Sequence, residues 1–402
     1  MICRACRSEK TLMYLPLGSH PPANAFLRAD QLYQPECSFD LDTHVCLNCG
    51  LVQIPDKVPA GFFERYLYIP SASQTMHRHF TDLASRLRER FLQDGDPLVV
   101  DIGCNDGLFL SAVSQMGVRT LGVDPAANIV EMAREKGISV VTRYFSPEVA
   151  AQIVAEHGQA RVILTTNTLN HVDNLHAFIE GIDTLLAPEG VFIVEVPQAL
   201  TFVQNHEFDT IYQEHLSVFS VKSLRELYRF FDISIFDIEE LHIHGGSMRV
   251  YARRGGESAI AENWIGREQA ARLFDAETYR NEAKAAHAIR DGLLRLLDDL
   301  KRDGKRIAGY GAPAKGNTLL NFCRIGPDRL DYLVDRNPLK HGLYSPGMHL
   351  PIFGPEKLAE HPPDYLLLLA WNFADEIIEQ QREFRAHGGR FIVPIPKPEV
   401  IA

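Results

Sequence analysis

One short segment, Asp101–Gly107 with the sequence Asp-Ile-Gly-Cys-Asn-Asp-Gly, constrains the fold more than any other part of the chain. It lies between two apolar runs, and this order predicts a strand, a glycine turn and a helix. Asp101 then stands at the carboxyl end of the strand. Gly103 and Gly107 let the backbone of such a turn approach a ligand closely. The segment therefore predicts a ligand-binding α/β sheet.

A second predicted strand, Arg119–Val123, delivers another carboxylate at Asp124. An acidic residue in this place binds the ribose hydroxyls in nucleotide-binding α/β sheets. The spacing D-x-G-x-x-x-G differs from the G-x-G-x-x-G of pyrophosphate binders, so a ligand with a ribose and no phosphates fits better. We expect S-adenosylmethionine (SAM), with dinucleotide binding and a ligand-free turn as the competing interpretations. The residues expected to hold SAM here are Asp101, Gly103, Asn105, Gly107 and Asp124.

Length and charge limit the possible partners. A chain of 402 residues suggests two to three domains. The net charge of -11 and the lack of a long Lys/Arg block disfavour a nucleic-acid partner. No apolar run approaches the length of a membrane span. The start Met1-Ile2-Cys3 leaves no room for a signal peptide. We expect a soluble, cytoplasmic protein with no membrane partner.

Five of the seven cysteines lie in the first fifty residues. Four of them form two CxxC pairs, Cys3 with Cys6 and Cys46 with Cys49. Such pairs in a reducing compartment indicate a metal site, and four thiolates suit a closed, structural zinc site. Unrelated free cysteines are the alternative, and Cys37 is expected to pack. A closed zinc site is expected to lie remote from any chemistry.

The texture of the sequence divides the chain into three regions: an N-terminal lobe (1–66), a middle region (67–262) and a C-terminal unit (263–402). The lobe is turn-rich and interrupted by prolines, and the middle region alternates apolar runs with amphipathic stretches, as parallel sheets do. The C-terminal unit begins with a long helical stretch, Arg267–Lys301, and continues as a second α/β unit. The expected fold class is α/β: a class I SAM-methyltransferase (Rossmann-like) core, a zinc-binding lobe and a C-terminal Rossmann-like domain.

Polar side chains follow the fourth predicted strand, 160–166. Ligands of open α/β sheets bind beside such strand ends, so Asn167, Asn170 and His171 are expected to face the methionine half of SAM. Helix capping by Asn170, with His171 at the surface, is the alternative.

The segment Phe208–Ser217 gathers Tyr212, Glu214 and His215 in one loop after the strand 190–196. Histidine is the usual general base because its pKa lies near working pH, and a neighbouring glutamate can raise its basicity. A polar loop with a solvated histidine is the alternative.

A second glycine-rich turn, Gly309–Gly316, opens the C-terminal α/β unit. Its backbone amides and Lys315 could reach a phosphate, while a domain without a ligand is the alternative. Trp371 and Asn372, at the end of strand 365–370, are candidates to contact a nucleotide base.

Several ordered motifs resemble those of bacterial sugar C-methyltransferases, which make branched-chain deoxysugars on nucleotide carriers. The resemblance runs the whole length of the chain. Besides the SAM turn, its motifs are Cys49–Gln53, Ile211–Ser217, His244–Arg249 and Gly309–Asn317. The chain departs from the family at Gln213, where a histidine is usual, and at Val218, where an aromatic residue is usual.

The resemblance implies a nucleotide-linked 4-keto-6-deoxyhexose, typically carried by thymidine diphosphate, as the substrate. It implies that His215 removes the C3 proton beside the ketone, and that the resulting carbanion takes the methyl group of SAM. Tyr212 and Glu214 would position this base or hydrogen-bond the sugar, and Tyr68 would lie near the sugar.

The resemblance also implies further substrate contacts on the later strands. His244 and Arg249 would contact the sugar or its pyrophosphate. For Arg249, a structural role is the alternative. Lys315 and Asn317 belong to the motif of the C-terminal domain that helps to hold the nucleotide sugar. Two other classes stay open: a SAM-dependent O- or N-methyltransferase on the same scaffold, and a non-catalytic zinc-containing binding module.

Overall fold

The computed structural model describes residues 1–55, 58–59, 61–243, 245–256 and 258–402. Its strands are β1 (Thr11–His20), β2 (Phe39–Cys46), β3 (Val52–Gln53), β4 (Leu98–Ile102), β5 (Arg119–Val123), β6 (Val140–Val141), β7 (Ala160–Thr166), β8 (Leu186–Pro197), β9 (Ser217–Val218), β10 (Ile233–Leu241), β11 (Ser247–Arg254), β12 (Ile307–Tyr310), β13 (Leu333–Val334), β14 (Ile352–Phe353), β15 (Tyr365–Leu368), β16 (Arg390–Val393) and β17 (Glu399–Ile401).

The helices alternate with these strands along most of the chain. They are α1 (Gln74–Phe91), α2 (Leu108–Ser114), α3 (Ala127–Glu135), α4 (Pro147–His157), α5 (Leu175–Leu185), α6 (Ala199–Gln204), α7 (Val221–Tyr228), α8 (Ala259–Ala270), α9 (Ala276–Arg302), α10 (Ala314–Cys323), α11 (Lys357–Glu360), α12 (Ala374–Gln380) and α13 (Arg382–Ala386).

The N-terminal lobe is more regular than its prolines suggest. β1 and β2 form an antiparallel pair, and the sheet continues in the order β1-β2-β3-β9. Pro16 lies inside β1, contrary to the prediction that prolines interrupt this region. β1 is an edge strand with irregular register on both sides of Leu15 and Pro16, and an edge strand tolerates a proline because its outer amides need no partner.

The middle sheet has the order β10-β11-β8-β7-β4-β5-β6. β4 to β8 are parallel to one another, and β11 is antiparallel between β8 and β10. This is the predicted α/β core, with β4, β5 and β7 at the expected positions. The sequence predicts a strand near 243–253 that is interrupted by Gly245 and Gly246. In the structure both glycines precede β11 instead, because they have positive φ and make the turn that leads into it.

The C-terminal sheet has the order β14-β13-β12-β15-β16-β17, and only β17 pairs antiparallel. The helical stretch predicted over 267–301 is two helices, α8 and α9. The break comes where Arg272 has a φ of 58° and Asp275 stands before α9. The domain boundaries at 66/67 and 262/263 stay predictions, and β9 shows that the lobe and the middle region share a sheet.

Among the described residues, no helix combines the length and the apolar character needed to cross a membrane. The carboxyl ends of β4, β5 and β7 open onto the same cavity as those of β12, β13 and β15. This cavity has a volume of about 710 Å³. Parallel sheets bind ligands at this end of their strands, so the fold brings two potential binding edges to one space.

Candidate active site and cysteine cluster

Eleven of the predicted site residues line the shared cavity, and they come from both the middle region and the C-terminal unit. They are Tyr68, Asp101, Gly103, Asn105, Asp124, Asn167, His171, Tyr212, His215, Lys315 and Asn372.

The turn after β4 is closed by the side chain of Asp124. One carboxylate oxygen accepts a hydrogen bond from the backbone N–H of Asn105 and the other from that of Ala126, both at 2.9 Å. Gly103 has a φ of 80°, and a Cβ atom there would overlap the Thr168 side chain. The turn is therefore a cradle that only glycine permits at this point.

Asp101 carries an observation that fits a ligand ammonium group. Its side chain is buried at the cavity wall, and its Oδ1 has no hydrogen-bond partner among the described residues. Burial raises the pKa of Asp101, and the neighbouring carboxylates of Asp124 and Glu195 raise it further. SAM carries a positively charged amino group and a ribose, which match the open oxygen of Asp101 and the carboxylate of Asp124. The residues present therefore fit SAM.

Two residues predicted to hold SAM lie elsewhere. Gly107 does not line the cavity; it precedes α2 with a φ of 72°, and a Cβ atom there would lie 2.9 Å from Cβ of Ala133 on α3. Its role is close packing of two helices. Asn170 is fully buried behind the cavity wall, in a turn whose next residue, His171, reaches the cavity.

The 211–217 loop places a histidine and a tyrosine in contact. Nδ1 of His215 lies 2.9 Å from the carbonyl oxygen of Thr210. A carbonyl oxygen only accepts, so this nitrogen carries the proton in the neutral ring and Nε2 keeps the lone pair. Nε2 faces the hydroxyl of Tyr212, which donates to it. The backbone of the loop thereby sets the tautomer that a general base requires.

Glu214 is fully buried beside this pair, in a cluster with residues distant in sequence. Both of its oxygens accept from the side-chain amide of Asn24, at 2.9 and 2.8 Å, and one also accepts from the hydroxyl of Tyr66, at 3.0 Å. Burial raises the pKa of Glu214 to about 7, and the hydrogen bonds from Asn24 and Tyr66 act in the opposite direction.

The backbone of Tyr66, Leu67 and Tyr68 forms a short strap at the cavity wall that is held by three asparagines. Its three consecutive carbonyl oxygens accept from the side-chain amides of Asn128, Asn337 and Asn105, at 2.7, 2.7 and 3.1 Å. These donors belong to α3, the C-terminal unit and the turn after β4. The strap places the ring of Tyr68, which is 43% exposed, over the cavity.

The C-terminal unit supplies cations and a tryptophan. Nζ of Lys315 lies 3.5 Å from a carboxylate oxygen of Glu207 and 5.1 Å from the ring centre of Trp371. Nε1 of Trp371 donates to the buried carboxylate of Asp209, at 2.6 Å. Burial raises the pKa of Asp209 to about 6. The sheet of the C-terminal unit therefore contacts the segment that leads directly into the 211–217 loop.

Two predicted substrate residues have other surroundings, and a third lies outside the described part of the chain. The amide of Asn317 donates to the carbonyl oxygen of Ala23 at 2.7 Å, so it ties α10 to the N-terminal lobe. The buried guanidinium of Arg249 pairs with Glu195 at 2.6 Å and Glu239 at 2.7 Å, and Arg249 does not line the cavity. These ion pairs agree with a structural role for Arg249, which was the alternative to a substrate contact. His244 lies outside the described residues.

Several residues around the cavity were missed by sequence reasoning. Asn24, Asn337 and Lys340 lie far from the motifs they contact, and no local pattern marks them. Tyr66 is different, because it stands two residues before the predicted site residue Tyr68. That spacing could have signalled that both tyrosines face the same site.

The four cysteines of the two CxxC pairs come together as predicted. Their sulfur atoms all lie within 4.8 Å of one another. The Cys3–Cys49 and Cys6–Cys46 sulfur pairs are each 3.6 Å apart. Zn–S bonds of about 2.3 Å in a tetrahedron place sulfurs about 3.8 Å apart, so the cluster fits a four-thiolate zinc site. Four protein ligands leave no open position, which makes the site structural. Cys37 is exposed, contrary to its predicted packing, because it lies in the loop before β2.

Together, the sheet, the cradle after β4 and the carboxylates of Asp101 and Asp124 define a SAM-dependent methyltransferase, with SAM and a structural zinc ion as its cofactors. Comparison with protein families agrees. Family models described as a zinc-binding domain, a methyltransferase domain and a C-methyltransferase C-terminal domain match residues 3–62, 76–233 and 242–396.

The C-methyltransferase NovU of Streptomyces niveus is 38% identical over 407 aligned positions, which cover 100% of this chain and 96% of the relative. The chain belongs to this C-methyltransferase family. A ubiquinone biosynthesis O-methyltransferase of a Chelativorans strain is 31% identical over 24% of this chain and 38% of its own length. The SAM-bound magnesium protoporphyrin IX methyltransferase of Synechocystis covers 44% of this chain and 79% of its own with a TM-score of 0.34 and 16% identity, a likeness too weak to carry an argument.

Proposed function

We propose that the enzyme methylates C3 of a nucleotide-linked 4-keto-6-deoxy sugar, with thymidine diphosphate as the carrier and His215 as the general base. The observation that carries this proposal is the tautomer of His215. Its Nε2 holds a lone pair in the same cavity as Asp101 and Asp124. A hydroxyl or amine acceptor relies more on proximity, whereas a carbon acceptor must first lose a proton.

In the proposed reaction, Nε2 of His215 takes the proton from the carbon beside the ketone, and the electron pair of that C–H bond moves into an enolate. SAM, when bound, supplies a methyl group on a sulfonium that a carbanion can accept. The hydroxyl of Tyr212 donates to Nε2 in the resting site, so it must turn away as the base engages the sugar. Once turned, this hydroxyl is in reach to donate to the sugar.

His171 supports the assignment of the base to His215. The two rings lie 5.0 Å apart between their centres, and both line the cavity. Burial lowers the pKa of His171 to about 4, so this ring is a poor base and stays neutral at working pH. Its neutrality also avoids a positive charge beside His215, which would lower the basicity of the latter.

Binding of the acceptor is assigned to the half of the cavity that the C-terminal unit lines. Lys315, Arg336 and Lys340 line this half together with the carboxylates of Asp335 and Glu376, and the three cations are the candidates to bind an anionic diphosphate. Asn372 also lines this half, where it could contact the nucleotide base. Both sheets then hold one ligand each, with the 211–217 loop between them.

Proton exchange tests the proposal without methyl transfer. The enzyme is incubated in D2O with a thymidine-diphosphate-linked 4-keto-6-deoxy sugar and no SAM, and NMR follows deuterium at C3. We expect exchange by the wild type, and a loss of about 10²–10⁴-fold in exchange and turnover for His215→Ala with SAM affinity retained. Tyr212→Phe keeps the base and is the matched control, with exchange still measurable.

Two outcomes would overturn parts of the proposal. Methylation of the sugar without any exchange at C3 would point to an oxygen or nitrogen acceptor. Wild-type turnover in His215→Ala would remove His215 from its role as base.

A further inference from the structure

The outer side of the 211–217 loop is held by residues of the N-terminal lobe. Nε2 of Gln213 donates to the carbonyl oxygen of His20 at 2.9 Å, and Glu214 accepts from the amide of Asn24. The N–H of Ile54 donates to the carbonyl oxygen of Leu216 at 3.2 Å. Three residues of the loop are therefore hydrogen-bonded to residues within the first 54 of the chain. The lobe thus contacts the loop directly, through residues other than its four cysteines.

A pair of short strands connects the end of this loop to the segment that carries the cysteines. β3 begins three residues after Cys49, and β9 begins two residues after His215. The two pair antiparallel, with Val52 opposite Val218 and Gln53 opposite Ser217. The hydroxyl of Ser220 also donates to the carbonyl oxygen of Cys49 at 2.5 Å. The second CxxC pair thus lies directly behind the strand that ends the loop.

Gln53 joins the first CxxC pair to the same strand. Its fully buried side chain accepts from the backbone N–H of Arg4, which lies between Cys3 and Cys6, at 3.0 Å. The guanidinium of Arg4 donates to the carbonyl oxygen of Ile54 at 2.6 Å. Both halves of the cysteine cluster therefore meet at β3.

The size of these elements makes the connection depend on the cluster. β3 and β9 have two residues each, and such a short pair is stable only where its surroundings hold it. A lobe of this size has a small core, and a bound structural metal contributes folding free energy to it. We therefore expect loss of the metal to loosen β3 and, with it, the loop.

We propose that the four-cysteine lobe holds the 211–217 loop in its reactive conformation, and that Gln53 is the positioning residue that connects the two. Neither the lobe nor Gln53 touches the reacting atoms in this view. SAM binding is independent of it, because Asp101 and Asp124 belong to the middle sheet.

Amide hydrogen exchange of the full-length enzyme, read by mass spectrometry on peptides that cover 211–219, tests this proposal. Zinc-loaded wild type is compared with protein treated with a zinc chelator and with Gln53→Ala, which keeps all four cysteines. In both we expect exchange of the 211–219 peptides to rise about tenfold, while peptides of β4 and β5 are unchanged. Thr11→Val is the matched control, since it removes a hydroxyl that donates to the carbonyl oxygen of Met1 within the same lobe.

Gln53→Ala also separates positioning from plain loss of structure. We expect one zinc per chain, an unchanged KM for SAM and a kcat about tenfold lower, with partial recovery in Gln53→Glu because a carboxylate still accepts from the N–H of Arg4. The proposal is overturned if 211–219 exchange as slowly after zinc removal as before, or if Gln53→Ala leaves both exchange and kcat unchanged. The exchange readout needs no acceptor, so it stands whether or not the sugar assignment holds.

Discussion

The middle sheet and the C-terminal sheet build the same turn around an aspartate. In the middle sheet, Gly103 donates to the carbonyl oxygen of Val123 at 2.7 Å, and Asp124 accepts from Asn105 and Ala126. In the C-terminal sheet, Gly311 donates to the carbonyl oxygen of Val334 at 2.7 Å. Asp335 there accepts from Ala312 at 2.7 Å and Asn337 at 2.8 Å. The two sheets thus place turns of the same local geometry at the same cavity.

The surroundings of the two aspartates differ. Nζ of Lys340 lies 3.3 Å from Asp335, and this charge holds the pKa of Asp335 below its ordinary value although burial acts to raise it. No cation pairs with Asp124 within the described part of the chain, and burial raises the pKa of Asp124. The same turn is therefore open to ligand hydroxyls in one sheet and internally neutralised in the other. Turn geometry marks where a ligand can bind, and the neighbouring charges decide which ligand.

Removing each carboxylate in turn is the most direct test of whether the two turns differ in function. Asp124→Ala is expected to lower SAM affinity by about 10²–10⁴-fold, because hydrogen bonds between ribose hydroxyls and a charged carboxylate contribute about 1.5–3 kcal/mol each. Asp335→Ala is expected to change SAM affinity less than about twofold. Calorimetric titration with SAM measures both, and an equal loss in the two variants would show that the turns are not functionally distinct.

The two turn glycines offer a second, smaller contrast. Alanine at a left-handed position costs about 1–2 kcal/mol, so Gly311→Ala should lower the free energy of unfolding by that amount. A Cβ atom there lies 3.1 Å from Cβ of Ala370, a contact that slight movement relieves. Gly103→Ala should cost about 1–3 kcal/mol more, since its Cβ atom overlaps Thr168. Urea unfolding of both variants gives the values, and equal losses would contradict the tighter cradle in the middle sheet.

The smallest expected contrast lies in the pH dependence of stability. The folded pKa of Asp335 is lowered, so its contribution is present above the ordinary value of 3.8 and is lost as the pH falls through the folded pKa. The folded pKa of Asp124 is raised, so stability falls as the pH rises from 3.8 through that pKa. Asp335→Asn and Asp124→Asn should therefore change the slope of unfolding free energy against pH with opposite signs. Urea unfolding of SAM-free protein between pH 3 and 7 measures these slopes, and changes of the same sign relative to the wild type in both variants would refute the prediction.

Local patterns in the sequence predicted the α/β core well. The strands β4, β5 and β7 and the turn at Gly103 follow from runs of apolar residues and a glycine with few conformational alternatives. The cysteine cluster was predictable because ligand spacing is a short-range property. What could not be predicted is the set of contacts that long-range folding creates. Glu214 meets Asn24 190 positions away, and Leu67 meets Asn337 270 positions away.

The prediction of one continuous helix over 267–301 was wrong for a related reason. Arg267–Lys301 has helical periodicity throughout, and no glycine or proline marks the turn at Arg272. Arg272 has a positive φ, and the residue after it, Leu273, is fully buried. Periodicity alone does not reveal such a bend.

The hydrogen bond from Trp371 to Asp209 sets a condition on chimeric enzymes. Exchanging the C-terminal unit between relatives is an obvious route to new acceptor preferences, with the seam placed near residue 262. Such a graft must bring its own donor for the buried carboxylate of Asp209, and its own amide to replace that of Asn337 on the strap. A transplanted unit that lacks them would dock with unsatisfied polar groups, and the hybrid would lose activity even toward the acceptor it was built to accept.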